Sequence, residues 1–251
     1  MKIIESLTQF TIDLGNFEKQ LASCAQSLAA CGKVRHSVRG RMGDCGTDIV
    51  YIGNTFATAH LEVTAWAIDD IEILNQTRDD WELRLEFMHS KQNSLSARRE
   101  EESRRGLMVA YKSILFFLRA FHDSAYAVLV ELTGGRAGAY PSMYACLTKK
   151  KNGPASEVVC QIPGYEPWFL KMRNWRNKIK NGAGLALDGP QTNIGVSFMH
   201  ITDENALEIT NDTIHLRDLI ESVRFSSQLL TSIVKWIEND TVPNLEEVSV
   251  S

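Results

Sequence analysis

Arg176, Asn177 and Asn181 occupy the stretch KMRNWRNKIKNG, residues 171–182, with Arg173 just upstream. An arginine flanked by amides is suited to gripping a phosphate. The guanidinium offers a planar fork of donors to the oxygens, and an amide adds a donor without adding charge. On a helix at about 100° per residue, with Met172 at the centre of the buried face, Tyr165, Trp168, Phe169 and Ile179 fall within about 60° of it. Arg176 falls in the same arc. Arg173, Asn177 and Asn181 follow one another at i, i+4 and i+8 on the adjoining flank. A guanidinium set into an apolar stripe needs a partner, because an unpaired buried charge costs several kcal/mol.

The preceding apolar helix offers one. Arg119, His122, Asp123 and Tyr126 recur at i, i+3, i+4 and i+7 on a helix otherwise rich in Leu, Phe, Val and Ala. Asp123 facing Arg176 would satisfy both groups. His122 is the histidine that helix geometry brings toward the arginine, and so the candidate proton-transfer group. The plainer alternative is an internal ion pair with a core histidine beside it.

The stretch RNKIKNG, residues 176–182, resembles the motif of the HEPN superfamily: an arginine, a polar residue, an interval, then a histidine often followed by glycine. The aromatic lead-in PWFLKMRNW and the polar-striped helix upstream fit as well, and the likeness covers about residues 95–239. It implies an up-and-down helical bundle that dimerises with its motif helices facing each other. It also implies either a metal-independent ribonuclease of a toxin–antitoxin or antiviral defence system, or a non-catalytic module that binds RNA or a protein partner. Arg176 and Asn177 match the motif. Asn181 stands where the histidine belongs, and an amide cannot act as general acid or base.

Three readings follow. The favoured one is a degenerate HEPN-like module in which Arg176, Arg173, Asn177, Asn181 and Arg119 hold RNA phosphate, with Asp123 in support. The alternative is an active endoribonuclease using Arg176, with His122 as a displaced base. The third is a structural bundle that assembles with a partner.

The elements that must position these residues are helical. The chain has 251 residues, 44% hydrophobic and 23% charged, with a formal net charge of -4. That is a soluble globular composition without the strongly basic balance of a general nucleic-acid binder. Five cysteines without a CxxC pair make a zinc site or disulfide framework unexpected and suggest a reducing, cytoplasmic setting. No P-loop, GxGxxG, GxSxG or HExxH occurs, so no cofactor is expected. No secretory signal is read at the start. Charged residues interrupt the most apolar stretch, 107–132, so a buried helix is expected rather than a membrane span.

Apolar periodicity predicts helix over about 2–31, 54–89 with a break near NQTRDD, 94–133, the motif helix, and a last helix carrying Leu216, Leu219, Val223, Leu230 and Ile233. The glycine-rich, basic stretch 31–48 predicts loop, and 49–53 a short strand followed by a helix cap at Asn54 or Thr55. The mixed-charge run 94–106 predicts a solvated helical face held by i,i+4 ion pairs. The stretch TKKKNGPASE, residues 148–157, predicts a basic loop. Two short strands around DEN predict a hairpin at about 194–209. The expected organisation is an N-terminal helical region at 1–93, an all-α bundle at 94–240 with the hairpin before its last helix, and a polar tail at 241–251.

Overall fold

The computed structural model describes residues 2–76, 80, 82–83, 86, 90, 95–135, 142–148, 153–188, 194–201 and 207–241. Among these the helices are α1 (Lys2–Cys31), α2 (His36–Gln76), α3 (Leu95–Leu132), α4 (Met143–Thr148), α5 (Pro154–Cys160), α6 (Tyr165–Lys180) and α7 (Leu216–Thr241). Three strands, β1 (Gly184–Asp188), β2 (Gly195–Ile201) and β3 (Leu207–His215), form one antiparallel sheet in the order β1-β2-β3. The fold is an all-α bundle with a small β insertion before the last helix, as the sequence predicts.

Three details differ. The stretch read as loop, strand and cap is helix: α2 begins at His36, and Asn54 and Thr55 lie well inside it. Its apolar pattern was present, with Val38, Met42, Ile49 and Phe56 all buried, but glycines obscured it. Gly46 has a packing reason. A Cβ there would lie 2.5 Å from Leu21 Cδ2, so any larger residue would have to displace the Leu21 side chain. Next, the hairpin gains a third strand, β1, and β3 runs on through Thr210–Thr213 to His215. Leu185, Val196, Phe198 and Ile214 form the buried face of this sheet. Last, Pro154–Cys160 is a short helix with Pro at its start, where its missing N–H costs nothing. Residues 77–79, 149–152 and 242–251 lie outside the described residues, as does the expected boundary near 93.

The mixed-charge run forms the first turns of α3. Glu100 pairs with Arg104 at 2.7 Å and Glu101 with Arg105 at 2.8 Å, both i,i+4 with the acid on the N-terminal side, the favourable order. Ala97–Leu132 within α3 is long and apolar enough to cross a membrane by length and composition, but 56% of its most apolar window is buried inside the protein.

The chain divides into two compact units. Unit 1 comprises Met1–Ile12, Tyr51–Ile114 and Lys178–Ile220; unit 2 comprises Asp13–Val50, Leu115–Asn177 and Glu221–Ser251. The core of unit 1 is pinned by Phe56, whose ring meets those of Phe10 and Tyr111 edge-on at 5.4 and 4.8 Å. In unit 2, Phe17 meets Phe121 edge-on at 5.3 Å, and Trp168 stacks on Phe225 at 4.8 Å. Burying rings of this size supplies much of the hydrophobic stabilisation in each unit.

Candidate functional site

The α6 face predicted to be buried is buried at Tyr165, Trp168, Phe169 and Met172. Trp175, which the reading passed over, joins them at 2% exposure, and Ile179 is half-buried. Arg176 is half-buried too, at the edge of this face. Its guanidinium lies over the Phe116 ring, 4.9 Å from the centroid, and its Nη1 donates a long 3.3 Å hydrogen bond to the adjacent Asn177 Oδ1. Arg176 Nε is buried and has no hydrogen-bond partner among the described residues.

The expected Arg176–Asp123 pair does not form. Asp123 Oδ1 lies 2.6 Å from Arg119 Nη1, one turn back on α3, and accepts the backbone N–H of Met143 at 2.9 Å. An i,i+4 neighbour meets the carboxylate at lower entropic cost than a side chain from another helix, and it has taken the place. Arg176 acts on Asp123 only through its charge. Burial raises the Asp123 carboxyl above its ordinary range; Arg119, the Met143 N–H and Arg176 pull it back down.

Two more arginines complete the arrangement. Arg173 stacks on Tyr144, its guanidinium carbon 3.6 Å from the ring centroid. Arg119 lies over Phe169 at 4.9 Å. Burial lowers the Arg119 pKa; Asp123 opposes this, and repulsion from Arg173 and Arg176 adds to the lowering. Three guanidiniums are thus each seated on an aromatic ring, and one of them, Arg119, holds the carboxylate. Flat ring seats fix the planes of the forks and leave their edges to donate. The sequence reading found all three arginines but missed their seats, Phe116, Tyr144 and Phe169, because three helices contribute them.

His122 belongs to the core. It is fully buried, with Nδ1 against the Tyr165 hydroxyl and Nε2 3.0 Å from Ser226 Oγ. Ser226 donates its own proton to the Ser222 carbonyl at 2.9 Å. Its oxygen must therefore accept from His122 Nε2–H, so Nδ1 is the acceptor and Tyr165 the donor. Trp168 Nε1 completes the group by donating to Ser222 Oγ at 3.1 Å. Burial, with Arg119 adding to it, lowers the imidazole pKa to about 3. A neutral histidine with both nitrogens engaged has no lone pair left for a substrate.

Asn181 and Gly182 end α6. Gly182 has φ 93 and donates to Ile179 O at 3.1 Å, while Ala183 donates to Lys178 O at 3.0 Å. This is a Schellman stop, in which Asn181 is the exposed last residue and Gly182 takes the left-handed position that a Cβ disfavours. Asn181 falls in unit 1 and the arginines in unit 2.

Fold and site together define an all-α bundle protein with a half-buried arginine–aromatic cluster. Comparison with family models, curated proteins and solved structures gives no match for this chain.

Proposed function

We propose that residues 94–240 form a HEPN-like RNA-binding module that holds phosphate at the arginine cluster without cleaving the chain. The observation carrying this reading is the cluster itself: Arg119 is repelled by both Arg173 and Arg176, and among the described residues Asp123 pairs with Arg119 alone. An RNA phosphate relieves that repulsion and accepts from the guanidinium edges, each charge-assisted bond contributing about 1.5–3 kcal/mol. Catalysis is left out because the motif position holds an amide and His122 is neutral and fully engaged.

The test is the binding of a labelled single-stranded RNA over a range of salt concentrations. Wild type is expected to bind at low salt, with log K falling linearly against log salt. Arg173→Ala and Arg176→Ala should each weaken binding and flatten that slope by about 0.7, the value for one lost phosphate contact. Equal affinities and slopes for wild type and both variants would overturn the reading.

A further inference from the structure

Unit 1 carries a surface of a different kind. An open groove of about 940 Å³ runs between α2 and α3. One wall is a stripe of α2 in which Tyr51, Thr55, Thr58, Glu62, Trp66 and Asp69 recur every three or four residues. Positions at this spacing share one face of the helix. The facing wall on α3 is Arg99, Glu102, Ser103 and Gly106. Ser103 donates to Glu62 Oε2 at 2.7 Å, joining the two walls.

We propose that this groove docks one amphipathic helix of a partner protein, with small apolar side chains on its inner face and Lys or Arg along its flanks. The length fits: from Tyr51 to Asp69 the stripe runs about 27 Å, equal to about 18 helical residues of the guest. Charge selects the flanks. Among the described residues, Glu62, Asp69 and Glu102 face the groove against the single guanidinium of Arg99. That balance attracts a basic helix and repels both RNA and the same groove on a second copy. Tyr51, 71% exposed, stands at one end of the stripe, and Trp66 is half-buried toward the other. Both are anchor types whose rings also accept cations.

Gly106 points the same way. It sits inside a 38-residue helix, where glycine costs about 1 kcal/mol relative to alanine. A Cβ there would meet nothing within 4 Å, so no contact among the described residues requires its absence. A helix seated in the groove would use that bare backbone for close approach.

The experiment uses the full chain and two labelled helical peptides of about 18 residues, the length of the stripe at 1.5 Å per residue. Both carry Ala and Leu on one face; one has Lys on its flanks and the other Glu. The Lys peptide is expected to bind wild type, and the Glu peptide to bind at least about 10-fold more weakly. Gly106→Leu fills open space in a helix, so its melting temperature should match or exceed that of wild type, while its affinity for the Lys peptide drops about 10-fold or more. Asp69→Lys with Glu102→Lys should reverse the preference between the peptides. Equal affinity for both peptides, no binding of either by about 100 μM, or a folded Gly106→Leu that binds as wild type would overturn the proposal. A wild-type dimer that Gly106→Leu dissociates would overturn it in favour of a second copy.

Discussion

The arginine cluster of unit 2 and the groove of unit 1 are opposite in sign and in construction. The cluster presents three guanidiniums on aromatic seats, and unit 2 also holds a buried network of His122, Tyr165, Ser226, Ser222 and Trp168. The groove presents carboxylates and short side chains, with open space above Gly106. The difference shows that residues with a catalytic look can be structural. His122 has the chemistry of a base and the surroundings of a core residue. Gly106 has no chemistry, and its surroundings are those of a contact surface.

If the comparison holds, the two regions respond very differently to substitution. The largest effect is expected from His122→Ala, which leaves the Tyr165 hydroxyl without its acceptor and opens a cavity. It should cost on the order of 3–5 kcal/mol, measured by chemical denaturation. Next comes pH. The folded pKa of His122, about 3, lies below the ordinary 6.5, so the unfolded chain binds the proton more readily. Stability from this group is therefore fully present above about pH 6.5 and is lost as pH falls toward 3, at up to about 1.4 kcal/mol per pH unit. Asp123, raised by burial, acts in the opposite sense nearer the carboxylate range. Melting temperatures between pH 7 and 5 should fall for wild type and stay flatter for His122→Gln. A flat wild-type profile would mean the imidazole is not locked neutral.

Smaller effects sharpen the contrast. Gly182→Ala forces a Cβ into a residue at φ 93 and should destabilise by about 1 kcal/mol, as a helix stop would. Gly106→Ala should do the reverse and stabilise by about 0.5–1 kcal/mol, because the helix gains propensity and the new methyl has room. A loss of stability in Gly106→Ala would place that glycine among internal packing residues and weaken the case for the groove.

Much of this molecule is legible in its sequence wherever one periodic signal dominates. The stripe of α6 and that of α7 announce their buried faces, and the i,i+4 acid–base pairs of α3 announce a solvated helix. The start of α2 was not legible, because glycine and basic residues favour loops locally while Val38, Met42 and Ile49 are held by packing that only the folded chain supplies. The three arginines of the cluster were legible as residues, but their partners were not. Helix spacing already set Arg119 one turn from Asp123, but it did not decide between that neighbour and Arg176 across the bundle. Pairing across helices depends on rotation and distance, which periodicity does not fix. The groove left no motif at all, since its floor consists of residues notable for what they lack.

The most direct measurement is a single incubation of the intact protein with end-labelled single-stranded RNA in EDTA, followed for binding and then for chain length. The account predicts that wild type holds the RNA at low salt and returns it uncut, and that Arg176→Ala holds it markedly less well. RNA fragments produced by wild type and lost in Arg176→Ala would contradict the non-catalytic reading. Failure of wild type to hold RNA at low salt would contradict phosphate binding at the arginine cluster.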